Sequence, residues 1–244
     1  MADSDEDGVP DEAVEYKFYF NIKSDPTKKD SNNDDIYDKY DLEPLILNQS
    51  YDRNAVYAYA HEWSGDFDTT GEKYNYSEYP NFAELSDQIS DCTNFVSQCL
   101  YAGGFNMSDD WYFEKTQSLP SHIAGIFSST GTLNYSWTKS WSVVVDNYNH
   151  FRSNDYAMYE ISINRNESIQ NAISNYDIRV GDLIYFCRDN VPTHAAIISS
   201  IQNDDICYAA HSYARWNKPL SETLTEDEGY SNVIIICLSG RIPS

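Results

Sequence analysis

Basic residues are scarce in this sequence. Lys and Arg number 16 against 39 Asp and Glu, for a formal net charge of -23. So large an acidic excess excludes nucleic acid and anionic membranes as partners unless a cation bridges them. Long apolar runs are also missing: no stretch of about 18 apolar residues occurs, so no helix is expected to span a bilayer. The chain opens without a basic and apolar leader, so an export signal or anchor is expected to lie outside it. Cys92, Cys99, Cys187, Cys207 and Cys237 form no CxxC pair, which removes the zinc-knuckle class. Their odd number leaves at least one thiol free per monomer. Cys187, Cys207 and Cys237 each lie in apolar β-like runs and read as small core residues, with a Cys187–Cys207 bridge left open.

What is present fits one large domain with a small appendage in 244 residues, and 21 tyrosines supply half-polar surface for packing and sugar contact. The chain is organised around residues 90–104. Ser90 or Asp91 can cap a helix in which Phe95, Val96, Cys99 and Leu100 recur at helical spacing. Gly103-Gly104 then ends it. Cys92 falls in the first turn, at the positive end of the macrodipole and beside unpaired amides that could hold an oxyanion. A helix N-terminus and a nearby imidazolium can lower a cysteine pKa from about 8.5 to roughly 3.5–7.5.

Residues 1–47 differ in composition from the rest, holding 14 of the 39 acidic residues and 5 of the 16 basic ones. Asp3, Asp5, Asp7 and Asp11 occupy positions 1, 3, 5 and 9 of a calcium-type loop with Gly8 at position 6. Asp30, Asn32, Asp34 and Asp38 repeat the spacing. Calcium loops need this alternation of oxygen ligands, with a glycine allowing the sharp turn. The second copy has Asp35 at the glycine position, and the first has Val14 where a carboxylate closes the loop. These stretches resemble thrombospondin type 3 calcium-binding repeats. The resemblance implies structural calcium, bound at extracellular levels.

Further along, Asp52 caps a helix through Trp63 whose stripe is Ala55, Val56, Tyr59, Ala60 and Trp63, with His61 off it toward solvent. Residues 64–89 read as a long loop able to wall a cleft. Trp111, Tyr112, Phe113 and Trp137 could line a groove or pack a satellite core. Trp141 to Phe151 reads as one helix with Val144, Tyr148 and Phe151 as its stripe. Strands follow at 183–187, at 194–201 after a proline-bearing loop, at 206–211 after the Asn203-Asp204-Asp205 turn, and at 233–238. Helices first and hairpin-linked strands later imply an α+β fold on an antiparallel sheet. His194 opens one strand and His211 ends the next, so both imidazoles are expected near one end of that sheet. This is what a cysteine nucleophile needs: one imidazole to take the thiol proton and a polar group to hold that imidazole.

The Asp91-Cys92-Thr93-Asn94-Phe95-Val96-Ser97-Gln98 block carries a resemblance that spans roughly residues 50–238. With it come Tyr51, Trp141 with Asp146, Val180-Gly181-Asp182, Thr193-His194-Ala195-Ala196, and His211 with Asn217-Lys218-Pro219. The sequence resembles the amidase domain family of Gram-positive bacteria, relatives of NlpC-type and CHAP-type cell-wall hydrolases in the papain-like superfamily. The resemblance implies a papain-like, NlpC-like domain over 48–244 following the acidic repeats at 1–47. It implies Cys92 as nucleophile, His194 as general base and acid, and His211 as the third polar residue. Tyr59, Gln88 and Asn94 are candidates for the second oxyanion donor. The expected function is a secreted or cell-surface amidase that cuts an amide bond, with peptidoglycan the leading substrate. No metal is expected in the chemistry, and the protein is expected to be a monomer. Two alternatives stand: a secreted cysteine peptidase acting on other peptides, and a non-catalytic calcium-dependent adhesion module. A strongly acidic enzyme meets an anionic wall against like-charge repulsion, which bound calcium would lessen.

Overall fold

The computed structural model describes residues 14–16, 19–22, 27–33, 37–38, 51–66, 68–85, 90–116, 134–153, 156–240 and 242. The predicted ligands Asp3, Asp5, Asp7, Asp11 and Asp34 lie outside the described residues, as does Gln88. In the acidic segment, β1 (Val14–Tyr16) pairs antiparallel with β2 (Tyr19–Ile22). Beyond it, the Asp38 carboxylate is buried and accepts hydrogen bonds from the Ser31 amide and hydroxyl, at 2.8 and 2.6 Å. Asp30 accepts the Asn33 amide at 2.7 Å. Among the described residues, no group of three or more His, Cys, Asp or Glu side chains is placed to hold a metal ion.

The large domain is α+β, built on a six-stranded antiparallel sheet. It holds β7 (Ala157–Asn164), β8 (Leu183–Arg188), β9 (Val191–Gln202), β10 (Asp205–Ala210), β11 (Arg215–Pro219) and β12 (Asn232–Leu238). Their spatial order is β11-β10-β9-β8-β12-β7. Two-residue turns make the central hairpins. Asp189 and Asn190 have φ of 51° and 63°, and Asn203 and Asp204 have 52° and 60°. Positive φ at both turn residues is the type I′ geometry that matches strand twist. The expected proline-bearing loop is therefore absent: Pro192 lies inside β9, opposite Cys187 at a bulge where Thr193 is the extra residue.

Both faces of the sheet are covered, which explains the unbroken apolar runs. Leu183, Tyr185, Ala195, Ile197, Ile234 and Ile236 join one core cluster. On that face pack α1 (Arg53–Trp63), α3 (Cys92–Ala102) and α5 (Val144–Phe151), after the single turn α2 (Phe82–Leu85). The alternate residues Ile184, Phe186, Ala196, Ile198 and Ile235 join the second cluster. It is covered by α6 (Ile169–Asn175) and α7 (Leu220–Glu226). Trp111 and Phe113 pack into the first core rather than a groove. Phe113 begins β5 (Phe113–Thr116), which pairs with β6 (Asn134–Trp137).

The expected helix from Trp141 is two elements, α4 (Lys139–Ser142) and α5, parted at Val143 in extended conformation. Side chains have taken the carbonyls a continuous helix would need: Ser97 donates to the Trp141 carbonyl at 2.9 Å and Asn147 to that of Ser140 at 2.7 Å. The expected loop over 64–89 contains α2 and a short hairpin of β3 (Gly65–Asp66) with β4 (Gly71–Glu72). All five cysteines are free and buried, and β9 lies between the strands of Cys187 and Cys207, which rules out their bridge.

Candidate active site

The first turn of α3 carries Cys92 against the sheet. Gly103, just past its end, lets the helix pack closely on Tyr51: a Cβ there would meet that ring at 2.4 Å. Asp91 precedes the helix, as the sequence suggests, but makes no cap bond with its side chain. Its carboxylate, 1% exposed, instead accepts the Phe82 amide at 2.7 Å and the Asn94 amide group at 2.9 Å. The third partner is His211 Nδ1 at 2.6 Å.

His211 is thereby fully committed. Its Nε2 lies 2.8 Å from the Trp63 carbonyl, which can only accept, and its ring stacks on Phe95 with centroids 4.1 Å apart. The expected closeness of the two histidines is met along the sheet but not across it. β10 pairs Ala209 with Ile197; continued, that register sets position 211 opposite Ala195 rather than His194. His211 bonds to Asp91 and Trp63 instead of His194.

His194 is half-buried, adjacent to the bulged Thr193. It acts on Cys92. Burial pushes the Cys92 thiol up, but the His194 charge and hydrogen bond, the Ser90 hydroxyl and the Ala195 amide outweigh it and bring the pKa down to about 6. Burial has the opposite net result at Cys99, Cys187 and Cys237, whose thiols are all pushed up, Cys187 to about 11. Of these four, Cys92 is the one at which a charged partner reverses the desolvation penalty.

Ser90 Oγ lies 3.3 Å from the Cys92 sulfur, and buried Thr93 Oγ1 lies 3.8 Å from it on the helix. A cleft of about 600 Å³ opens over this point, lined by Ser90, Thr193, His194, Ser212, Tyr213 and Tyr230. The sulfur itself is fully buried between residues that face the cleft. On the rim, Arg188 pairs with Asp227 at 2.8 Å and lies over the Tyr230 ring. Two of the oxyanion candidates are otherwise engaged. Tyr59 donates to Gln98 at 2.7 Å, and Asn94 accepts the Trp141 indole at 2.8 Å while donating to Asp91.

A thiol lowered by an imidazole at the start of a helix is an arrangement suited to acyl transfer. The family model of the putative amidase domain matches residues 50–235. The chain belongs to this family. Membership supports a hydrolase acting on an amide bond. No curated protein and no solved structure matches the chain. Within the amidase domain, the Val180-Gly181-Asp182 block is structural: buried Asp182 pairs with Arg53 at 2.9 Å and accepts the Leu238 amide at 3.0 Å. The sequence reading missed Asp91 as the partner of His211, and Ser90 as a cleft hydroxyl. Both stand within two residues of Cys92, where they were read only as capping residues.

Proposed function

We propose that the protein is a cysteine-dependent amidase of papain-like type, with Cys92 as nucleophile and His194 as general base and acid. The observation that carries this reading is the lowered Cys92 thiol, with His194 as the principal lowering influence. The thiolate attacks the amide carbonyl, the S–C bond forms, and the carbonyl π pair moves to oxygen. On collapse the C–N bond breaks and the amine leaves with the His194 proton. His194 then takes a proton from water, whose oxygen attacks the thioester and releases the acid and the thiolate. His211 belongs to the site through Asp91, the residue before the nucleophile, whose carboxylate it bonds.

The proposed substrate is an amide of peptidoglycan, cut by a secreted or cell-surface protein. The exposed Tyr213 and the hydroxyls lining the cleft suit a peptide or sugar chain. Calcium is proposed as a structural ion of the acidic segment, held by oxygens of Asp3, Asp5, Asp7 and Asp11 and of Asp30, Asn32, Asp34 and Asp38. Digestion of purified peptidoglycan, with mass analysis of the fragments, tests the reading. The parent should release new amine or carboxyl ends, and Cys92→Ala should release none while keeping its melting temperature. Turnover retained in Cys92→Ala would refute the thiol mechanism. Cys99→Ser should stay active, since Cys99 packs in the core away from the cleft.

A further inference from the structure

We propose that the side-chain hydroxyl of Ser90 is a catalytic group: the second donor, beside the Cys92 amide, to the oxyanion formed on the attacked carbonyl. This rests on the thiol mechanism above and adds to it the donor that mechanism lacks. Three observations converge on Ser90. It is exposed and lines the same cleft as His194, while its Oγ sits 3.3 Å from the Cys92 sulfur. An oxygen on a carbon newly bonded to that sulfur falls within hydrogen-bond reach of a hydroxyl already touching it. The other hydroxyl at the sulfur, Thr93, is fully buried and faces no cleft.

The second observation is the position of Asp91. As the residue before α3 it would ordinarily accept first-turn amides, but its carboxylate is drawn to His211, Phe82 and Asn94 and makes no cap bond. No Asp91 carboxylate therefore competes with a substrate oxygen for the amides of the first turn of α3. Third, Tyr59 and Asn94 already spend their polar atoms on Gln98, Trp141 and Asp91.

The step balances without proton transfer from serine. In the resting enzyme the Ser90 hydroxyl donates to the thiolate. As the S–C bond forms, negative charge passes from sulfur to the carbonyl oxygen, and a small rotation about the serine Cα–Cβ bond lets the hydroxyl follow it. When the tetrahedral adduct collapses, the pair returns to the C=O bond and the hydroxyl to its first position. A donor met only by the developing charge lowers the barrier without tightening substrate binding.

The test compares the parent with Ser90→Ala, Ser90→Thr and Thr93→Val. Three readouts are needed: kcat and KM on a cleaved amide, affinity for acetyl-alanyl-alaninal, and the pH profile of Cys92 alkylation. The aldehyde forms a tetrahedral adduct with the thiol and reports on the donor whatever the natural substrate. Loss of one oxyanion donor costs about 100–1000-fold in kcat. Ser90→Ala should fall by that much with KM near the parent's and should weaken aldehyde binding. Ser90→Thr should restore most of both, and Thr93→Val should leave kcat unchanged. A Ser90→Ala variant that moves only the alkylation midpoint, with parental kcat above that midpoint and parental aldehyde affinity, would overturn the proposal: its hydroxyl would then serve the thiolate alone. Cys92→Ala separates the two failures, since loss of turnover there upholds the thiol mechanism whatever Ser90 does.

Discussion

At the scale of single residues, Asp91 and His211 form a buried ion-pair geometry beside Cys92 in the chain, each side chain 1% exposed. Breaking a buried pair from one side leaves an uncompensated charge and costs about 3–5 kcal/mol. His211→Ala should therefore lower the melting temperature markedly. It should also raise the pH at which Cys92 alkylates, because an unpaired carboxylate on the preceding residue disfavours a second negative charge. His211→Gln, which can still donate to Asp91, should recover part of both. An unchanged melting temperature and midpoint in His211→Ala, measured by calorimetry and alkylation, would remove His211 from the site. The sequence puts His211 at the end of its strand but does not show which group it bonds. That depends on register, which the two-residue Asn203-Asp204 turn starts and an irregularity between Cys207 and Tyr208 then shifts by one residue.

At the scale of elements, the turn between β10 and β11 holds Ser212 and Tyr213 at φ of 57° and 84°. Such left-handed conformations outside glycine cost about 1–3 kcal/mol each and persist only where neighbours enforce them. Glu72 of β4 is the enforcer, accepting the Tyr213 and Ala214 amides at 3.0 and 3.2 Å and the Tyr74 hydroxyl. Burial pushes its carboxyl up, but these hydrogen bonds outweigh it and hold it below its usual value. Its stabilising contribution is thus complete above the unfolded value near 4.5 and is lost as pH falls through the lower folded value. Glu72→Ala at neutral pH should mimic acid: the 212–214 turn should become sensitive to limited proteolysis and KM should rise as Tyr213 leaves the cleft wall. Equal cleavage of parent and variant would contradict this. The helix α1 was legible because its Asp52 cap and apolar stripe coincide, α3 because its apolar stripe ends at Gly103-Gly104, and β8, β9, β10 and β12 because their apolar runs are long. The edge strand β7 was not: Glu160, Ser162 and Asn164 interrupt its apolar residues, and it pairs only with β12 among the described strands. Short α6 carries one buried pair, Ile169 and Ala172, too little to show a helical period.

At the scale of the whole molecule, charge is divided unevenly: residues 1–47 carry 14 acidic and 5 basic side chains. The amidase domain at 50–235 lies outside that segment, so calcium should stabilise without entering the chemical step. After chelation, calorimetric titration with calcium should show heat and a raised melting temperature. Binding to the folded state alone gives about 2.7 kcal/mol at a hundredfold excess over Kd. Absence of both heat and thermal shift would leave the segment an acidic spacer. On the proposed mechanism, His194 makes Cys92 a thiolate at neutral pH inside a buried site. The rate of Cys92 alkylation by iodoacetamide against pH, read by mass spectrometry of the Cys92 peptide in the parent and in His194→Ala, tests it most directly. The parent midpoint should lie near pH 6. In His194→Ala burial is no longer opposed by the imidazole, and the midpoint should rise above the ordinary thiol value of about 8.5. A parent midpoint at or above that value, or one that His194→Ala leaves in place, would contradict the assignment of nucleophile and base.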